Sequence, residues 1–116
     1  MVIAATLRTR AEFTAVQDRG RRVSTPYFTM LGLPNARECD RLGIIASRKI
    51  GGAVIRNRAK RRLREIFRSE MPDQTRQDDA PYVDLVLIPR REFVNAPFTT
   101  LQSDFRAAMR KVRRSR

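Results

Sequence analysis

The chain has 116 residues, with 25 Lys and Arg against 12 Asp and Glu, a formal charge of +13 and a sequence pI of about 11.6. That length supports one domain around one core, and no apolar run approaches the ~18 residues that a membrane-spanning helix needs. Histidine is absent and cysteine occurs once, at Cys39, so the commonest general base and metal ligand is missing and an internal disulfide is excluded. Self-repulsion on this scale opposes compaction, and a polyanion would relieve it. Nucleic acid comes first as a partner and an anionic membrane surface second. Most of the cations are arginine, which suits bidentate phosphate contacts and stacking on bases. The lone thiol, and a first segment Met1–Leu7 with no basic lead, point to the cytoplasm.

Leu7 to Arg19 reads as a first helix, because Thr9 and Glu12 have capping-box spacing and Gly20 supplies a stop. Phe13 and Val16 share one side of it; Phe13 there is either a core anchor or a partly exposed ring. Gly20 to Ser24 reads as a turn running into an edge strand. Tyr27 to Leu33, bounded by Pro26 and Pro34, has the β-branched and aromatic content of a strand, with Phe28 and Met30 on one face. Asn35 to Asp40 is a polar loop, and Leu42 to Ser47 is the next strand.

Gly51-Gly52 then leads into a helical pattern that Pro72 must end. At about 100° per residue, Ile55, Ala59, Leu63, Ile66 and Phe67 fall on one face. Asn57, Lys60, Arg61, Arg64 and Arg68 cluster at the opposite pole, with Arg56, Arg58 and Arg62 on the flanks. Nine residues from Arg48 to Arg68 are cationic, against the single acid Glu65. Like charges at i,i+4, as in Arg56, Lys60 and Arg64, destabilise a free helix. An ordinary charged helix face is merely solvated; this density, with the weak helix former Asn57 at its centre, favours a phosphate-bearing partner.

Pro72 to Pro81 reads as a loop whose Asp73, Asp78 and Asp79 are solvated rather than metal-binding. Tyr82 to Ile88 is apolar except for Asp84, the pattern of a buried central strand. Arg90 to Val94 suggests a short helical turn. Thr99 and Gln102 are spaced to cap a last helix carrying Leu101, Phe105, Ala108, Met109 and Val112 on one face. Its basic end (Arg110, Lys111, Arg113, Arg114, Arg116) complements the helix dipole. The order α-β-β-β-α-β-α means a mixed sheet with helices packed on it. No catalytic constellation emerges: Gly51-Gly52 lacks the rest of a phosphate loop, and Glu65 has arginines at ion-pair spacing. The polypeptide is expected to catalyse nothing by itself.

The stretch Ala46 to Glu65, Ala-Ser-Arg-Lys-Ile-Gly-Gly-Ala-Val-Ile-Arg-Asn-Arg-Ala-Lys-Arg-Arg-Leu-Arg-Glu, closely resembles the signature of the bacterial ribonuclease P protein subunit, with Arg56-Asn57-Arg58 as its core. The likeness extends to Phe13 before the Gly20 turn, Phe28 in a strand, Leu42-Gly43 and the strand-helix finish, and covers roughly Leu7 to Val112. It implies one RNA-binding domain over residues 1–116, core about 7–113, of α+β class. The implied architecture is a two-layer α/β sandwich with a mixed four-stranded sheet, like the second domain of ribosomal protein S5, and a left-handed β-α-β crossover. General chain physics favours the right-handed connection, so that hand comes from the resemblance alone.

The same resemblance implies a ribonucleoprotein endonuclease that removes the 5′ leader of precursor tRNA. Catalysis would belong to an RNA subunit, with Mg²⁺ held by that RNA and the substrate. Partners would be one RNA subunit and precursor tRNA, with neither a membrane nor an obligate protein partner. Carried over by position, Arg56, Asn57, Arg58, Lys60, Arg61, Arg64 and Arg68 face the RNA subunit. Ser47, Arg48 and Lys49 lie beside the leader path, and Phe13 stacks leader bases in a groove between the first helix and the sheet; Phe28 is the weaker candidate for that role, with a place in the core as its other reading. Such stacking is worth about 1–3 kcal/mol per base. Gln17 and Leu31 occupy positions where the family often has aromatics, which implies a thinner platform. Two other readings stay open: a structural RNA-binding protein of ribosomal type, and a protein-only nuclease, which would need clustered carboxylates.

Overall fold

A computed structural model describes residues 5–37, 39–70 and 82–113. In chain order these form β1 (Ala5–Thr6), α1 (Arg10–Arg19), β2 (Arg21–Ser24), β3 (Phe28–Pro34), β4 (Arg41–Ile44), α2 (Ala53–Glu70), β5 (Val83–Pro89) and α3 (Phe98–Arg113). Short 3-10 turns at Arg48–Ile50 and Arg91–Phe93 precede α2 and α3. The strands make one mixed sheet in the order β1-β4-β5-β3-β2. β4 pairs in parallel with β5 and β1, whereas β3 is antiparallel to β5 and β2. The expected α-β-β-β-α-β-α order and mixed sheet are therefore present. The two-residue β1 adds an edge strand too short to leave an alternating pattern in the sequence.

Local chemistry explains most element ends. Thr9 Oγ1 accepts the Glu12 N–H at 3.1 Å and Glu12 Oε1 accepts the Thr9 N–H at 3.0 Å, which closes the capping box and starts α1 at Arg10 rather than Leu7. The Leu7 N–H instead bonds the Leu42 carbonyl at 2.9 Å, just beyond β1. α3 begins one residue earlier than the Thr99 cap expected from spacing, and the Pro97 carbonyl accepts the Leu101 N–H at 3.1 Å. The expected Pro72–Pro81 loop, with Asp73, Asp78 and Asp79, lies outside the described residues.

Strand alternation divides the apolar residues between two faces. Phe28 and Met30 of β3, Leu85 and Leu87 of β5 and Leu42 of β4 join Leu63, Ile66 and Phe67 of α2 and Phe105 and Val112 of α3 in the larger core. Leu31, Val86, Leu7 and Val16 form a smaller core under α1 on the other face, with Phe13 packed half-buried against it. β5 is covered on both sides, which is why it reads as an almost unbroken apolar run. Among the described residues, no helix is long and apolar enough to cross a membrane.

Candidate nucleic-acid interface

The entry to α2 is built by backbone geometry. Ser47 Oγ accepts the Lys49 N–H at 3.3 Å, and the Gly51 N–H reaches the Arg48 carbonyl at 3.1 Å to close the 3-10 turn. Gly51 has φ of 144°, where an L side chain is strained, and a Cβ there would meet Ile55 at 2.8 Å. The chain thus turns sharply and leaves Ser47, Arg48 and Lys49 exposed at the end of β4. From Ala53 the helix buries Ala59, Leu63, Ile66 and Phe67 against the sheet and α3. Ile55, expected on that apolar face, is 40% exposed because it lies in the first turn, before α2 reaches the core.

The opposite pole is open. Asn57, Arg58, Arg61, Arg64 and Arg68 are all exposed, and Lys60 is half-buried. Arg56 is also half-buried and donates one N–H to the Gly51 carbonyl at 3.3 Å, bracing the turn that starts the helix. Arg62, on the flank, is different. Its guanidinium donates to the carbonyls of Val94 at 2.6 Å, Ala96 at 2.7 Å and Phe93 at 3.3 Å, and its Cζ sits 6.0 Å from the Phe93 ring centroid. Desolvation, with the nearby Arg58 charge, lowers its pKa. Arg62 fastens α2 to the segment before α3.

A second arginine is consumed on the α1 side of the sheet. Arg41 donates from Nε and Nη2 to the two carboxylate oxygens of Asp84, at 2.8 and 2.7 Å, and from Nη1 to Glu12 Oε2 at 2.8 Å. Asn35 Nδ2 also donates to Asp84 Oδ1, at 2.7 Å. The N–H groups of Thr9 and Arg8, then Arg41, hold the Glu12 carboxyl at a pKa of about 2. The bond to Asp84 raises the pKa of Arg41 further above its ordinary value. Asp84, which interrupts the apolar run of β5, is therefore there to receive Arg41. Its signal was present in the sequence; its partner, 43 residues earlier, was not.

Between these two regions lies a cleft of about 200 Å³. It opens at the edge of the sheet where β1 stops. Thr6 and Leu7 border it on one side, Leu42, Gly43 and Ile44 form its base, Phe13 comes from α1, and Lys60 and Arg64 come from α2. Phe13 thus sits with two of the cations that the sequence pattern had placed on the basic helix face alone. Phe28 does not join it. Phe28 has 0% exposure, lies on the other face of the sheet and packs edge-on against Phe93 at 6.2 Å between ring centroids, so it is a core residue with no surface to offer a base. Leu31 is on the Phe13 side but buried, and Gln17 is exposed one turn along α1. Phe13 is therefore the aromatic of the cleft.

The donor set does not suit a metal ion. Among the described residues no group of three or more Cys, Asp or Glu is placed to hold one. Glu12 and Asp84, on the α1 side, already accept from Arg41.

Comparison with known proteins places the chain in a family and a fold. The family model for ribonuclease P matches residues 1–113. The ribonuclease P protein component of Erythrobacter litoralis is 39% identical over 109 residues, covering 94% of this chain and 86% of that protein. That of Chloroflexus aurantiacus is 39% identical over 105 residues, covering 90% and 75%. Among solved structures, the RNase P protein of Thermotoga maritima superposes with a TM-score of 0.74 at 29% identity, over 96% of this chain and 97% of that one. The RNase P protein of Staphylococcus aureus gives 0.74 at 26% identity, over 95% and 98%.

Proposed function

This chain belongs to the ribonuclease P protein family, and from that premise we propose that it is the protein subunit of a ribonucleoprotein that removes the 5′ leader from precursor tRNA. The exposed pole of α2, carrying Asn57, Arg58, Arg61, Arg64 and Arg68, docks on the RNA subunit, with Arg56 and Lys60 at its margins; Lys60 and Arg64 stand where that surface meets the cleft. Phe13 stacks a leader base in the cleft, and Ser47, Arg48 and Lys49 border the leader's path. The observation that carries this reading is the shared cleft, in which an aromatic from α1 meets Lys60 and Arg64 from the cationic helix. A single-stranded nucleic acid needs both features, a stacking surface and cations for its backbone.

Cleavage itself belongs to the RNA, and Mg²⁺ is held by RNA phosphates. The chain's part is to neutralise crowded phosphates and to hold the leader. Mature tRNA has no leader, so the cleft favours precursor over product. The complex holds one RNA subunit per chain, needs no other protein and works in the cytoplasm. The test is multiple-turnover cleavage of precursor tRNA by the RNA subunit at low Mg²⁺, with and without this protein. Stimulation that declines steeply with salt is expected; no stimulation at any salt would refute the proposal. Copurification with ribosomal RNA instead of one discrete RNA would favour the structural, ribosomal-type reading.

A further inference from the structure

Phe13 alone supplies the aromatic surface of the cleft, so its position matters more than it would in a platform of several rings. Two residues of β4 lie beneath Phe13 or bond its neighbour. A Cβ added to Gly43 would lie 2.6 Å from both Cε1 and Cζ of Phe13 and 3.0 Å from Leu7 Cδ1, well inside van der Waals contact. Gly43 is not one of the residues with positive φ, since Gly51 alone has that among the described glycines. Its lack of a side chain therefore serves the close approach of the ring and not the backbone. Two residues earlier on the same face of β4, Arg41 bonds Glu12, the residue just before Phe13. Glu12 also closes the α1 cap, so one carboxylate joins the start of the helix to the floor of the sheet.

We propose that Gly43 and Arg41 are positioning residues for Phe13: Arg41 fixes α1 over the sheet through Glu12, and Gly43 leaves the gap into which the ring settles. The inference rests on the leader-binding role proposed for Phe13. The nearest atoms that a methyl group at Gly43 meets are side-chain ends and not backbone, and of the two side chains Phe13 is the less buried, so the fold accommodates the methyl by moving the ring. The displaced ring then blocks the cleft or no longer faces its base. Arg41→Lys keeps a positive charge but loses the planar fork that holds Asp84 and Glu12 together, which frees α1 to shift.

The test is a double-mutant cycle in the reconstituted holoenzyme, reading the ratio of precursor to mature tRNA affinity. Phe13→Ala is expected to lower that ratio about 5- to 160-fold, the range for one lost base stack. Gly43→Ala is expected to lower it at least threefold, with RNA-subunit affinity within twofold of the parent. The decisive arm is Gly43→Ala in the Phe13→Ala background, which is expected to add little, because the ring through which Gly43 acts is already gone. Effects that multiply, or a Gly43→Ala protein with the parental ratio, would overturn the inference while leaving the role of Phe13 intact. A parental ratio in Phe13→Ala would overturn the leader reading and this inference with it. If Gly43→Ala fails to fold, Arg41→Lys carries the same cycle with the same criteria.

Discussion

Arg61 and Arg62 are adjacent in sequence and opposite in circumstance. Arg61 stands exposed on the open pole of α2, whereas Arg62 turns its guanidinium onto three carbonyls of the segment before α3. The same contrast separates the Arg41 cluster under α1 from the exposed row Arg58, Arg61, Arg64 and Arg68. In one region arginine is a cross-link whose donors are used inside the fold. In the other it is an array of donors left for an outside acceptor. Total charge therefore overstates the binding surface, and hydrogen bonding, not residue type, decides which arginines are available.

The contrast breaks most sharply at Arg41. Arg41→Ala leaves Asp84, 7% exposed, without its ion-pair partner, and losing one partner of a buried pair costs about 3–5 kcal/mol. Urea unfolding measures it. Arg62→Ala is expected to cost about 1–3 kcal/mol, since the carbonyls it serves are left unpaired, with little change in RNA affinity. The converse is Arg58→Ala with Arg61→Ala. Stability should stay within about 0.5 kcal/mol, while affinity for the RNA subunit falls and the slope of log affinity against log salt shrinks by about 2. If the Arg62 change weakened RNA binding as much as this pair, the division between the two regions would be wrong.

The smallest effect is a pH dependence. Glu12 is held at a pKa of about 2, below its ordinary value of 4.5, by backbone N–H groups and Arg41. Its folded form binds protons less readily than the unfolded chain does. The contribution is thus complete at neutral pH and is lost as pH falls from about 5 toward 2. Glu12→Gln keeps the capping geometry, which accepts glutamine, and removes the charge. Chemical unfolding across that window should show a shallower loss of stability for Glu12→Gln than for the parent.

What the sequence made legible was mostly local. The Thr9–Glu12 cap, the strand periodicities and the two-sided character of α2 depend on neighbours within a few residues, and each has its counterpart in the fold. β1 was not visible, because two residues carry no alternation. Phe28 was left open between binding surface and core since a strand's alternation says which residues share a face but not which face is covered. Its exclusion follows only from α2 and α3 packing over that side. The resemblance implied a groove beside Phe13, but no pattern in the residues showed that Lys60 and Arg64 would line it. Gly43 and Lys60 belong to the β4-α2-β5 crossover while Phe13 comes from α1, and no spacing rule joins residues so far apart. Arg41 with Asp84 and Arg62 with the carbonyls before α3 are long-range pairs of the same kind.

On the proposed function, the open arginines of α2 hold the RNA subunit while the Phe13 cleft holds the leader. Equilibrium binding of precursor and mature tRNA to the RNA subunit, with and without this protein, tests it most directly. Adding the protein should tighten precursor binding and leave mature tRNA nearly unchanged. Equal tightening of both, or of neither, would contradict it.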